Sequence, residues 1–350
     1  MTIGHIDYWA AVTIGLGCLV VVVSLVLVRL HADRDERRRQ RLRTPLWRVV
    51  LTLGAGEPDE VATATRTLLA LSPEERAAIE DDVFGLVPKL RGEARELVRE
   101  VLRAWGSVDQ ARNSTTSPSP VRRARGYHRL GVLALPDRCD HVLAGLHDRD
   151  FTARRTAMLA LASYPEHDVI EQMLMAATVE PRLRHDFLAA VDQVGRPAAL
   201  VMVEHLRSPT SDLPDRERRL AAEAVGLVGG VDAVSSLEGC LLEGDDELCI
   251  AALQALGALG SPSSIILVTS QLGASSPDVR QAAMVAAGRI GGPSGLRLLG
   301  IGLSDEDVEV ARAAAGALRR AGTPGRTILG TSEAPVAREA LALAALRPAS

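Results

Sequence analysis

The sequence predicts an all-α protein in which a single transmembrane helix precedes an α-solenoid of stacked helical hairpins. Three observations predict this fold. An apolar pattern recurs along most of the 350 residues with a period of about 30 residues, and aromatic residues make up only 3% of the chain. An uncharged run near the N-terminus is long enough to cross a bilayer. An all-β sandwich would favour more aromatic residues on its pleated faces.

Composition excludes several classes of protein. A chain with 47% hydrophobic and 24% charged residues suits a large folded core, which excludes a disordered or fibrous protein. The net charge of -4 provides no basic field, and few aromatic side chains are present to stack on bases, so no nucleic-acid partner is expected. The cysteines lack the CxxC spacing typical of a zinc ribbon; they are Cys18, Cys139, Cys240 and Cys249.

The first predicted element is a transmembrane helix over residues 8–30. From Tyr8 to Val28 no Asp, Glu, Lys or Arg occurs, and such a helix is roughly 32 Å long against a hydrocarbon core of about 30 Å. A cleaved signal peptide is the alternative, but it requires basic residues before a shorter apolar stretch. Residues 1–7 contain no Lys or Arg. They are therefore expected to form a short external N-terminus before an uncleaved anchor.

A basic juxtamembrane helical segment, residues 31–56, follows the predicted anchor. Residues 29–48 contain eight arginines and three acidic residues, a net charge of 8 − 3 = +5. An excess of positive charge marks the cytoplasmic side of a span. This pattern predicts a single-pass protein of the cell membrane with its N-terminus outside and its repeats in the cytoplasm. The topology signal consists of Arg34, Arg37, Arg38, Arg39, Arg41 and Arg43.

The remainder of the chain repeats one helical pattern. Ten anchor positions lie 28 to 34 residues apart: Thr67, Val101, Gly131, Ala160, Ala190, Ala224, Ala255, Ala286, Ala314 and Ala342. Each anchor is followed at once by an apolar residue, and four positions later by a large apolar residue, as on one face of a helix. Gly or Pro five or six residues after most anchors ends that helix. The spacing leaves room for two helices, so each unit is predicted to be a hairpin in a stack.

Two segments carry a resemblance to a known family. Val279–Ala283 leading into Ala286–Gly291, and Ala251-Ala252 leading into Ala255–Gly260, resemble the second helix of HEAT repeats. The short period is similar to that of the HEAT-like units of phycobilisome lyases. The resemblance covers residues 120–350 and, with fewer matches, 57–106. It implies a fold rather than an activity, because one fold hosts many functions.

A polar stretch interrupts the pattern between two predicted groups of repeats. Residues 107–120 have almost no apolar content, which is typical of a flexible linker. The sequence therefore predicts helical repeats over 57–106, a linker over 107–120 and the main HEAT-like array over 121–350. Protease is expected to cut first in the linker.

Six units carry an arginine six residues before the anchor: Arg95, Arg125, Arg154, Arg184, Arg218 and Arg280. Two hypotheses account for this ladder. It could line one surface as a track for an acidic partner. The resemblance to HEAT-like families implies instead that such an arginine bonds to an aspartate of the neighbouring unit. We favour this second, structural interpretation.

Three His-Asp pairs are candidate metal ligands: His147-Asp148, His167-Asp168 and His185-Asp186. The pairs lie at different phases of the repeat and cannot converge by its symmetry, so we interpret the histidines as surface residues in turns. Some HEAT-repeat hydroxylases bind two irons through His-Glu pairs, so the resemblance leaves a metal-dependent HEAT-repeat enzyme or a bilin-lyase-like enzyme as alternatives. No phosphate loop, nucleophile elbow or H-E-x-x-H motif is present. We therefore predict no catalytic, cofactor-binding or metal-binding residues.

These features together predict a function. They indicate a membrane-tethered, non-catalytic scaffold or adaptor whose cytoplasmic solenoid binds a protein partner at the membrane. Tethering raises the effective concentration of such a partner. A membrane enzyme such as a glycosyltransferase, or a signalling protein, is the expected partner, and the segment Tyr8–Val28 is the expected contact with the membrane.

Overall fold

The computed structural model describes residues 22–24, 26, 29, 40–54, 56–210 and 212–345. Within these ranges the regular secondary structure is entirely helical, which confirms the all-α prediction. The chain divides into two compact units, one ending at Gln110 and the other beginning at Ala111.

The first unit consists of short helices around an aliphatic core. Its core includes Leu68, Ile79 and Val101. The helices are α1 (40–54), α2 (Pro58–Leu69), α3 (Pro73–Leu86), α4 (Gly92–Ala104) and the first half of α5 (Ser107–Ser114). A capping box begins α3, where the Ser72 hydroxyl accepts from the Glu75 amide and the Glu75 carboxylate accepts from the Ser72 amide at 2.9 Å. Such reciprocal bonds satisfy amides that have no partner inside the helix.

The second unit contains the remaining helices, joined by short turns. In chain order they are α6 (Pro120–Leu133), α7 (Cys139–Leu143), α8 (Phe151–Leu161), α9 (His167–Val179), α10 (Arg184–Val194), α11 (Arg196–Arg207), α12 (Pro214–Val228), α13 (Val234–Glu243), α14 (Asp246–Leu259), α15 (Ile265–Ser270), α16 (Pro277–Ile290), α17 (Gly292–Gly302), α18 (Val308–Arg320), α19 (Thr323–Thr331) and α20 (Pro335–Ala345).

The helices of the second unit form two layers. The even-numbered helices from α6 to α20 pack in sequence, each on the next. In the other layer α9 packs on α11 and α11 on α13, while α15 packs on α17 and α17 on α19. The eight anchor positions from Gly131 to Ala342 all lie in even-numbered helices. The repeat read from the sequence therefore corresponds to one hairpin per anchor.

Glycines end several even-numbered helices as the sequence predicts. Gly195, Gly229, Gly260 and Gly291 follow α10, α12, α14 and α16 with positive φ angles of 74°, 83°, 63° and 70°. A side chain would be strained in this conformation, which glycine adopts freely. Each glycine amide donates to the carbonyl four residues earlier, which closes the last helical turn.

Glycines inside the even-numbered layer allow backbones to touch. A Cβ atom added to Gly131 would lie 2.5 Å from the Ala160 Cβ and 2.8 Å from its carbonyl oxygen. The same contact recurs 29 residues apart in three further pairs: Gly226 with Ala255, Gly257 with Ala286 and Gly288 with Ala317. Close stacking of the layer therefore depends on small residues at these positions.

The predicted location in a membrane is corrected by the structure. No helix in the described ranges is both long and apolar enough to cross a membrane. The longest helix after α1 has 15 residues, or about 22 Å, and α1 carries Arg41, Arg43 and Arg48. The predicted span over 8–30 lies outside the described residues except for 22–24, 26 and 29.

The expected single-pass topology, with an external N-terminus and cytoplasmic repeats, therefore has no support in the described residues. The arginines of the topology signal at 34–39 also lie outside the described residues. Of the two that are described, Arg43 makes a bidentate ion pair with Asp82, with both nitrogen–oxygen distances at 2.6 Å.

The stretch predicted as a flexible linker also differs from expectation. It contains α5, and Val108 and Ala111 are buried. The carbonyls at 117 and 118 accept hydrogen bonds from Arg123 at 3.0 and 3.1 Å. This stretch has few apolar residues, but hydrogen bonds satisfy its polar groups. A prediction based on composition does not detect these bonds.

Candidate functional site

An arginine at the fourth position of α6 is buried and fully bonded. The Arg123 Nε and Nη2 each lie 2.7 Å from an oxygen of Asp148, and only 7% and 3% of the two side chains are exposed. Its Nη1 donates to the carbonyls of Ser117 and Pro118. The guanidinium therefore holds together the beginning of α6, the segment before it and the turn before α8. We call this arrangement an arginine clasp.

A second clasp has the same geometry in α16. The Arg280 Nε and Nη2 bond to Asp305 at 2.9 and 3.0 Å, and Nη1 donates to the carbonyls of Ala274 and Ser275. In each clasp the aspartate follows the arginine by 25 residues. Its Oδ1 also accepts the amide two residues further on, at 2.8 Å in the first clasp and 2.9 Å in the second.

Both clasps are ionised at neutral pH. Hydrogen bonds from Arg123 lower the pKa of Asp148 to about 2, although burial opposes this change. The Tyr127 hydroxyl donates to the same carboxylate at 3.0 Å, and burial raises the pKa of Tyr127 to about 12. Arg280 likewise lowers the pKa of Asp305. Because these groups satisfy one another, the clasps act as structural joints between hairpins.

Three of the predicted ladder arginines also join helices. Arg154 donates to Glu180 at 3.1 Å and to the Asp148 carbonyl at 2.6 Å. Arg184 donates to Glu223 at 2.7 Å. Arg218 donates to the Leu206 carbonyl at 3.0 Å and contacts the Cys240 sulfur at 3.9 Å.

The two remaining ladder residues lie in different surroundings. Arg125 is exposed on α6. Arg95 is half-buried on α4, its Nε makes no hydrogen bond within the described chain, and burial lowers its pKa.

The position six residues before the anchor in α6 is Arg125, so the ladder does not include the buried Arg123. Counting forward from the helix starts finds the clasp residues, because Arg123 follows Ser119-Pro120 and Arg280 follows Ser276-Pro277 at the same interval. Proline is favoured in the first helical turn, so this Ser-Pro signal was present in the sequence.

The three histidines of the His-Asp pairs, His147, His167 and His185, are all exposed, as predicted. Asp168 is also exposed, at the beginning of α9. By contrast, the Asp148 carboxylate lies in the first clasp, and the Asp186 carboxylate is covered by Arg155, which bonds to it at 2.7 and 2.9 Å. Tertiary contacts with Arg123 and Arg155 thus cover Asp148 and Asp186, which sequence spacing alone does not predict.

A row of outward-facing arginines forms the candidate binding surface. Arg125, Arg155, Arg184 and Arg219 occupy positions five or six before the anchors of the successive helices α6, α8, α10 and α12. Arg182 stacks on the Phe151 ring at 3.7 Å beside this row, and Arg216 shares a groove with Arg184 and Arg219. We call these six residues the arginine face.

On the arginine face, the two partners of an ion pair lie at different depths. The side chain of Arg155 is 51% exposed while its partner Asp186 is 8% exposed, and Arg184 is likewise more exposed than its partner Glu223. The guanidinium groups therefore lie outside the carboxylates that they neutralise. At the far end Arg219 pairs with Glu247 of α14, and in this pair the carboxylate is the more exposed partner.

In a comparison with known protein families, residues 244–319 match the family of HEAT repeats. No curated protein matches the sequence.

Several solved structures are similar in fold. Human deoxyhypusine hydroxylase in complex with glycerol is 18% identical, with a TM-score of 0.32 over 74% of this chain and 98% of that chain. The complex of CpcE and CpcF of phycocyanin lyase from Nostoc sp. PCC7120 is 19% identical, with a TM-score of 0.30 over 67% and 86%. Kap95p, in a structure with RanGDP, is 11% identical, with a TM-score of 0.43 over 86% of this chain and 46% of that chain.

At these values the similarities carry no conclusion about function or partner. The family match is independent of them, and it covers the helices from α14 to α18. Residues 244–319 are therefore similar to HEAT repeats.

Proposed function

We propose that the second unit is a protein-binding scaffold that acts by binding rather than by catalysis, and that its arginine face holds an acidic segment of a partner protein. The observation that carries this proposal is the row of arginines on four successive helices of the even-numbered layer, with the counter-charges of Arg155 and Arg184 beneath them. A stack of repeats displays equivalent positions at regular intervals, which suits an extended ligand.

The chemistry of the face favours carboxylates. Guanidinium groups bind carboxylates through two parallel hydrogen bonds and retain their charge at all physiological pH values. The groove with Arg184, Arg216 and Arg219 also contains the exposed Pro181, which offers apolar contact to the stem of a Glu side chain, and the carboxylates Glu223 and Glu247, which pair with Arg184 and Arg219. Opposite charge on a partner would also speed encounter and orient it.

The partner is defined here by its chemistry. A glycosyltransferase or signalling protein, as expected from the sequence, has no support from the described residues. An acidic segment is selected because Arg125, Arg182 and Arg216 are exposed, and because Arg155 and Arg184 are more exposed than the carboxylates that they pair with.

Reversing three charges on the face is expected to abolish most binding. In the variant Arg125→Glu, Arg182→Glu and Arg216→Glu, no buried aspartate loses its partner, so the fold should persist. Affinity for a labelled oligoglutamate peptide, measured by fluorescence anisotropy, should fall about tenfold or more, because each exposed charge contributes up to about 1 kcal/mol. Salt near 0.15 M should weaken binding by the unaltered chain, since it screens exposed charges.

The matched control reverses three exposed arginines elsewhere in the second unit: Arg196→Glu, Arg297→Glu and Arg326→Glu. It changes net charge equally, so it separates a local site from a general charge effect. Equal losses of affinity in both triple variants would contradict the proposed site.

A further inference from the structure

A second group of titratable side chains lies where the beginning of α9 meets the end of α11. The His167 Nε2 is 3.0 Å from the Glu204 Oε2. His167 and Glu171 are one helical turn apart on α9, and the ligand atoms of His167, Asp168 and Glu171 all lie within 4.8 Å of one another. None of these residues belongs to the arginine face.

A buried histidine faces this group from α11. The His205 side chain is 2% exposed, and its Nδ1 lies 2.5 Å from Oε1 of Glu217, which is fully buried on α12. The same oxygen accepts the Thr210 amide at 2.9 Å. Because this oxygen already accepts one N–H, we assign the Nδ1 of His205 as a second donor to it. In the neutral imidazole with this tautomer, the free lone pair lies on Nε2.

The free nitrogen is directed toward α9. His205 Nε2 lies 4.0 Å from the Glu171 Oε1, which is too long for a hydrogen bond. Within the described chain neither this nitrogen nor the Glu171 carboxylate makes a hydrogen bond. The nearly buried His205 imidazole is therefore held at Nδ1 by the Glu217 carboxylate, whereas its Nε2 has no hydrogen-bond partner within the described chain.

This arrangement has the chemistry of a metal ligand set. Histidines that bind metals commonly donate their other N–H to a carboxylate, which fixes the tautomer and raises ligand basicity. Imidazole nitrogens with carboxylate oxygens suit zinc and similar transition metals rather than Mg²⁺ or Ca²⁺. Tetrahedral zinc places its ligand atoms about 3.4 Å apart. Two pairs lie near this distance, His167 with Glu204 at 3.0 Å and His205 with Glu171 at 4.0 Å, and the ligand atoms of His167 and Glu171 lie within 4.8 Å of each other.

We propose that His167, Glu171, Glu204 and His205 bind one divalent transition-metal ion of the zinc class, with Glu217 orienting His205. The two carboxylates neutralise the charge of the ion. Bound metal links α9 to α11 and, through Glu217, to α12. It therefore fastens two successive hairpins to each other.

The test measures Zn²⁺ binding to the untagged full chain by isothermal titration calorimetry in a buffer that does not bind metal. The unaltered protein should bind one Zn²⁺ through this site, and Zn²⁺ should raise its thermal unfolding midpoint. Glu171→Gln removes one ligand from a half-exposed position. His205→Asn removes Nε2 but retains an N–H that can donate to Glu217. Each variant should lose affinity by about tenfold or more, and both should lose the thermal shift.

The matched control is His185→Asn, which removes an exposed histidine that also precedes an aspartate. It should bind Zn²⁺ as the unaltered chain does. The proposal is overturned if the unaltered chain binds no Zn²⁺, or if Glu171→Gln retains full affinity. Equal effects of His185→Asn and Glu171→Gln would also overturn it, because they would indicate general surface chelation.

Discussion

Replacing Asp148 by Asn is expected to lower the thermal unfolding midpoint of the second unit by about 6–12 °C. The substitution keeps the shape of the side chain but leaves the Arg123 guanidinium buried without its counter-charge. Removing one partner of a buried ion pair costs much more than removing an exposed pair. The carbonyls of Ser117 and Pro118 still accept from Arg123, so the loss should lie at the lower end for such sites. Far-UV circular dichroism during heating measures the change.

Asp140→Asn provides the matched control, because Asp140 is an exposed aspartate in the neighbouring helix α7. It should shift stability by no more than about 0.5 kcal/mol, as is typical of a surface change. Asp305→Asn should behave like Asp148→Asn, since it opens the second clasp. A midpoint for Asp148→Asn equal to that of Asp140→Asn would contradict the structural role of the clasp.

The effect of Asp148→Asn should depend on pH in a defined direction. The folded-state pKa of Asp148 is about 2, against an ordinary value of 3.8. The unfolded chain therefore takes up the proton first as pH falls, and the contribution of the carboxylate to stability declines. That contribution is fully present above pH 4 to 5 and is lost as pH falls through about 2. The midpoints of the two proteins should converge over this range, and a constant difference would contradict the assignment.

Replacing Gly131 by Ala is expected to destabilise the second unit by about 1–2 kcal/mol. The new methyl group would lie 2.5 Å from the Ala160 Cβ and 2.7 Å from its Cα, so α6 and α8 must move apart. Overpacking of this kind costs about 1–3 kcal/mol, whereas the better helix propensity of Ala returns about 0.5–1 kcal/mol. Urea unfolding measures the net loss.

Gly239→Ala separates these two effects. Gly239 lies inside α13, and a Cβ atom there meets nothing within 4 Å. Only helix propensity then changes, and stability should rise by about 0.4–1 kcal/mol. If Gly131→Ala and Gly239→Ala both stabilise the protein, the close approach of the even-numbered layer is not as described.

The repeat architecture could be read from the sequence because its causes are local. Apolar residues at helical spacing predict each amphipathic helix, and glycines such as Gly260 and Gly291 mark helix ends through backbone geometry alone. The anchors found in this way, from Gly131 to Ala342, all lie in the stacked layer. The resemblance to HEAT repeats could be read from the sequence for the same reason, since the signature of such repeats is the recurrence of one local pattern.

The contacts of the arginine clasps and of the candidate metal site could be identified only from the tertiary structure. Arg123 and Asp148 are 25 residues apart in the sequence, and His205 on α11 faces Glu171 on α9. Such pairings depend on which faces of neighbouring hairpins pack together and on the rotation of each helix about its axis. A difference of one position along a helix turns a side chain by about 100°. The periodic count therefore selected the exposed Arg125 instead of Arg123. Polar residues that local rules assign to solvent or to a linker became buried because distant partners satisfied them.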